Sequence, residues 1–234
     1  MGERWQRSGK AGLRLAGRFR LAPGTARRSR RFTRNDTMRV YVETNFFLEI
    51  VLLQEQHQSC EEIVRSCENG STSLLLPAAC FSEGYFALVR KSRRRDSFAQ
   101  EFEYQRAELT RSSRFKDHVD VLRAVQGLLI ESIQRELQGF YVTLNKMLAC
   151  AEIIPFSAET LRSAASLVRA VGLQLPDAIV LASVLAHLDA SASEESCFLS
   201  RDRDFGDPYI VEELIKRNCK MLFSFEEAPI ICAA

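Results

Sequence analysis

From Met38 onward, short apolar runs alternate with longer stretches whose apolar positions recur every three or four residues. That alternation is the signature of βαβ units on a parallel sheet. Residues 40–42 predict the first strand. Between Phe46 and Cys67, the residues Phe47, Ile50, Val51, Ile63 and Val64 keep helical spacing, with a break around His57, and Asn69-Gly70 stops the run. This segment predicts a helix or a helix pair. Residues 73–76 predict a second strand, and Pro77 suits the first turn of a helix running through Phe81, Tyr85, Leu88 and Val89. Two further helical stretches follow, one near residues 97–109. In the longer one Leu122, Val125, Leu129, Ile133, Leu137, Phe140, Leu144 and Leu148 form a stripe. Together they predict a helical hairpin inserted at about residues 91–150, its stripe packing on Phe98, Phe102 and Leu109. Residues 152–155 predict a third strand. Ser157 and Thr160 then open a helix that Gly172 closes, and Pro176 opens another reaching His187. A fourth strand at 197–199, a helix at 208–216 and an edge strand at 221–223 complete a domain spanning 38–223, with a tail at 224–234.

Charge changes this picture at one end. The formal net charge of +2 hides an asymmetry: residues 1–37 hold 11 Lys or Arg against two acids, and the remainder carries 21 basic and 28 acidic residues, a net of −7. The segment has no apolar periodicity, and its composition suits a disordered extension or an Arg-rich targeting peptide. Met38, directly before the first strand, offers an alternative start. No run approaches the roughly 18 to 20 apolar residues of a membrane span, and no secretory signal pattern is present. A cytoplasmic protein with no membrane partner is expected. The seven cysteines show no C-x-x-C pairing and predict reduced thiols; with only three scattered histidines they do not suggest a structural zinc site.

Candidate chemistry lies in the acids. Glu43 stands at the carboxyl end of the first strand, Glu83 follows the second, Asp177 opens a helix after a Leu-Pro turn, and Asp202 and Asp204 follow the fourth strand. In an open parallel sheet, ligands bind at that edge. A single acid there is an ordinary cap or solvated loop residue. Four from distant βα junctions form a set that repels itself unless a cation joins it. Oxygen-only donors favour Mg²⁺ or Mn²⁺. No glycine-rich phosphate loop and no Ser-His-Asp pattern competes with this reading.

These residues resemble the four motifs of PIN-domain ribonucleases, in order: V-Y-V-E-T-N-F-F, L-P-A-A-C-F-S-E-G, L-P-D-A-I-V-L-A-S and F-L-S-R-D-R-D-F. The resemblance implies a three-layer α/β/α, Rossmann-like sandwich around a central, mostly parallel sheet. It also implies metal-dependent endonucleolytic cleavage of RNA, leaving 5′-phosphate and 3′-hydroxyl ends. By motif position Glu43, Glu83, Asp177 and Asp202 would bind the metal, and Asp204 would assist, directly or through water. Thr44, Asn45 and Ser200 would orient the acids or the attacking water. The chain departs from the pattern in carrying Glu43 where the family usually has Asp. A catalytically weak PIN-like module binding RNA or protein is therefore the alternative function, and another metal-dependent phosphohydrolase a third. The basic cluster Arg90, Lys91, Arg93, Arg94 and Arg95 is either a solvated face or the surface that holds RNA phosphates. Partners consistent with the resemblance are RNA, a second copy of the chain, and an antitoxin-like protein.

Overall fold

The structure is a computed structural model that describes residues 38–191 and 195–227. Expectations for residues 1–37 and for the end of the tail lie outside the described residues. The chain order is β1 (Met38–Val42), α1 (Thr44–Leu52), α2 (His57–Glu68), β2 (Thr72–Pro77), α3 (Ala79–Leu109), α4 (Val119–Cys150), β3 (Glu152–Ile154), α5 (Ala158–Val171), α6 (Leu175–Ala190), β4 (Ser196–Leu199), α7 (Pro208–Ile215) and β5 (Cys219–Leu222). Short 3₁₀ turns occupy Ser113–His118 and Arg203–Gly206.

Every strand pair is parallel, in the order β3-β2-β1-β4-β5. The chain steps outward from β1 to β3, then returns to the other side of β1 for β4 and β5. Right-handed crossovers put the connections of these two directions on opposite faces of the sheet. The packing agrees: α1 to α4 contact one another, and α5 pairs with α6. The result is the expected three-layer α/β/α arrangement, its sheet wholly parallel among the described residues. Strands buried on both faces must be apolar throughout, and Val40, Tyr41, Val42, Leu74, Leu75, Leu76, Phe198 and Leu199 are all buried. Phe46 and Phe47 are each fully buried on α1, Phe46 edge-on to Phe225 and Phe47 edge-on to Phe81 of α3 and Phe140 of α4, at about 1.5–3 kcal/mol apiece.

Two details differ from the sequence expectation. Pro77 belongs to β2 instead of a helix: pairing with β1 reaches only Leu75, so the missing N–H breaks no bond to that neighbour. Pro77 stays in register with Ile154 of β3, and the Ala78 N–H donates to the Ile154 carbonyl at 2.9 Å. The helix after β2 is also one element of 31 residues, with no interruption near Lys91. The polar run of Arg, Lys and Ser there holds good helix formers and no Gly or Pro, so loss of apolar periodicity marks exposure, not an end.

The α3 and α4 helices form a long antiparallel arm held by Arg95, whose Nη1 meets Glu136 at 2.7 Å and Ser132 Oγ at 3.2 Å. The expected cover for the α4 stripe is incomplete, since Phe98 is 56% exposed and Val125, in the stripe, 40%. The capping predictions hold: the Ser157 hydroxyl accepts from the Thr160 N–H at 3.0 Å, and Gly172 closes α5 at φ 74°, a left-handed geometry that glycine adopts without a Cβ clash.

Candidate functional site

A strand order that reverses between β1 and β4 leaves a crevice beyond the carboxyl ends of those two parallel strands. Both strands end in the motifs singled out above. Glu43 follows β1 directly and caps α1: its Oε2 accepts from the Asn45 N–H at 2.6 Å. Its Oε1 accepts from the Ser200 hydroxyl, just beyond β4, at 3.1 Å. The same Ser200 oxygen accepts the Asp202 N–H at 2.9 Å, and Asp202 Oδ1 accepts the Asp204 N–H at 2.9 Å. Ser200 is completely buried, so its one hydroxyl couples the ends of β1 and β4.

A second arc comes from β2. The Thr44 hydroxyl donates to Glu83 Oε2 at 2.5 Å, linking the start of α1 to the first turns of α3. Gly84, next to Glu83, permits this approach, because a Cβ there would meet the Phe47 ring at 3.2 Å. Asp177 sits in the first turn of α6, behind Pro176, and α6 packs against α3.

Electrostatics tie these acids together. Burial raises the Glu43 carboxyl to about 8, against the hydrogen bonds from Asn45 and Ser200, with Glu83 and Asp202 adding repulsion. Burial also raises Asp177 to about 6, and Glu83, Asp202 and Asp204 reinforce it. Four chain segments thus bring acids of one sign within electrostatic reach. They do not form a finished ligand shell: among the described residues, no group of three His, Cys, Asp or Glu side chains is arranged to hold a metal ion as it stands. Asp204 is exposed, while Glu83, Asp177 and Asp202 are half-buried.

The expected supporting residues Thr44, Asn45 and Ser200 all contact the acids. The basic cluster is elsewhere, on the exposed flank of α3; Arg95 is engaged with α4, whereas Arg90, Arg93 and Arg94 are exposed and Lys91 half-buried. One polar contact escaped the sequence reading. Glu49, buried inside the apolar run of α1, pairs with Arg201, the residue before Asp202, and accepts the Gln56 N–H at 2.9 Å. The available signal was a lone acid among Phe47, Leu48, Ile50 and Val51, which needs a buried partner. Beside this pair an open cleft of about 730 Å³ is lined by Gln56, Arg201, Arg203, Gly206 and Phe223.

Among the described residues, no single helix is long and apolar enough to cross a membrane. No curated protein sequence matches the chain. Among solved structures, VapBC2 from Rickettsia felis, bound to a DNA fragment from its promoter, is similar at a TM-score of 0.36 and 12% identity, over 79% of this chain and 98% of that one. A family model described as PIN domain matches residues 40–205. That match runs from the middle of β1 to the turn after β4 and takes in every acid placed at the crevice, and by it the chain belongs to the PIN domain family.

Proposed function

We propose that the chain is a metal-dependent endoribonuclease whose site is the acidic crevice between β1 and β4. PIN domains are generally nucleases that use divalent metal ions. The observation that carries the reading is the convergence of Glu43, Glu83, Asp177, Asp202 and Asp204 from four chain segments at the topological switch point. The donor set is all oxygen, which suits Mg²⁺ or Mn²⁺. Glu43, Glu83, Asp177 and Asp202 would hold the cation, with Asp204 joining directly or through water. Once bound, such a cation neutralises the acids and lowers the pKa of water for attack on phosphorus. Ser200 fixes the direction of the Glu43 carboxylate and the Asp202 backbone, Asn45 holds the second Glu43 oxygen, and Thr44 holds Glu83. RNA is the proposed substrate. Its phosphates would be met by the exposed arginines of α3, and a second copy of the chain or an antitoxin-like protein would be the protein partner.

A second reading has its own support. Glu43 is longer than the family's usual Asp, both its oxygens are already engaged, and the acids stand short of a ligand shell. These features favour a catalytically weak PIN-like module that binds RNA or protein.

The test compares the full chain with Asp177→Asn on a mixed structured RNA, with Mg²⁺, with Mn²⁺ and with EDTA, while Mn²⁺ binding is followed by electron paramagnetic resonance. The nuclease reading expects cleavage in metal, none in EDTA, and a loss of at least about 100-fold in the variant. A folded parent that binds no Mn²⁺ and cuts no RNA would transfer the assignment to the binding module.

A further inference from the structure

Six of the seven cysteines lie among the described residues. Cys60, Cys80, Cys197 and Cys219 are buried in the core. Cys67 and Cys150 differ: both are half-buried, and they meet from separate helices, Cys67 in the last turn of α2 and Cys150 at the end of α4. The Cys67 thiol donates to the Cys150 carbonyl oxygen at 3.1 Å, and the Cys150 thiol donates to the Lys146 carbonyl oxygen at 3.2 Å. Across the same junction Lys146 Nζ reaches Glu68 Oε1 at 3.8 Å. The end of α2 thus sits against the end of α4, with the two cysteines neighbours across the junction.

We propose that Cys67 and Cys150 are a thiol–disulfide exchange site, which reacts with a low-molecular-weight disulfide of the glutathione type to close an intramolecular disulfide. The two thiols are not equivalent. The neighbouring Cys150 side chain draws the Cys67 thiol below its ordinary range, with the Leu74 N–H helping and burial opposing. Cys67, together with burial, holds the Cys150 thiol up. Cys67 is accordingly the attacking thiolate and Cys150 the resolving thiol. In the first step the Cys67 sulfur bonds to one sulfur of the small disulfide, whose S–S bond breaks and releases one thiolate. In the second, Cys150 gives its proton to solvent and its sulfur attacks that of Cys67, so that the mixed disulfide breaks and the second thiolate leaves. The dithiol loses two electrons, and the small disulfide gains them and ends as two thiols. The pair lies just ahead of the amino ends of β2 and β3, at the opposite edge of the sheet from the acids. Closing it ties the base of the arm to α2 and leaves the Glu43 crevice untouched.

The test incubates the reduced, full chain with oxidised glutathione and maps its disulfides by peptide mass spectrometry. The expected product links Cys67 to Cys150, is reversed by dithiothreitol, and forms at least about tenfold faster than modification of the four core thiols. Cys150→Ser is expected to trap one glutathione on Cys67, while Cys67→Ser is expected to form no link. A link from either residue to Cys232, glutathione left on Cys67 of the parent without closure, or both thiols unmodified in a folded parent would overturn the proposal. The parent map decides the matter even if a variant fails to fold.

Discussion

At the scale of single residues, the crevice depends on hydroxyl groups as much as on carboxylates. Ser200 donates to Glu43 and accepts from the Asp202 N–H with one oxygen, inside a fully buried position. Ser200→Ala leaves both partners short of a bond. The expected cost is about 1–3 kcal/mol in a denaturant melt, together with a roughly 10- to 100-fold fall in RNA cleavage, since the residue orients proposed ligands. Unchanged cleavage by a folded variant would remove Ser200 from the site. The motif letters identified this serine as a supporting residue. They did not show that it acts on two acids at once, because that needs the ends of β1 and β4 side by side. Glu49 illustrates the converse: its burial against Arg201 joins residues 152 positions apart, beyond the reach of any local pattern.

At the scale of elements, the α4 helix carries two glycines whose surroundings differ. A Cβ at Gly127, on the arm, meets nothing within 4 Å, whereas a Cβ at Gly139 would stand 3.1 Å from the Val51 carbonyl oxygen. Gly127→Ala therefore gains the helix-propensity difference of up to about 1 kcal/mol. In Gly139→Ala the same gain meets backbone that has to move, so thermal melts are expected to rank Gly127→Ala above the parent and Gly139→Ala at or below it. The reverse order would mean that the arm does not cross α1 closely at this point. Helical spacing in the sequence located α4, α5 and α6 well because each has an apolar face to bury. It misjudged α3, whose middle is polar all round and is kept helical by propensity and by contact with α4.

At the scale of the whole molecule, placing like charges at one edge makes stability depend on pH and on cations. Glu43 ordinarily titrates near 4.5 and is raised to about 8 in the fold, so the native chain holds a proton that the unfolded chain has lost between those values. The corresponding stability is fully present below about 4.5 and is lost as pH rises toward 8, with Asp177, raised to about 6, acting in the same direction. In EDTA, unfolding free energy is expected to fall by on the order of 3 kcal/mol between pH 5 and pH 8.5. Mg²⁺ or Mn²⁺ at the higher pH is expected to restore part of it. A melting temperature that is flat over this range, with and without cation, would show that the acids do not share a field.

The succession of apolar runs, the caps at Ser157 and Gly172, and the order of the four acidic motifs determined the strand and helix sequence and the family resemblance, since each is a local property of neighbouring residues. Strand order, the position of the switch point, the continuity of α3, the burial of Glu43 and Glu49, and the meeting of Cys67 with Cys150 were decided only by tertiary structure. These features depend on which distant segments exclude water from each other, and a carboxylate or thiol takes its chemistry from that surrounding and not from its place in the chain.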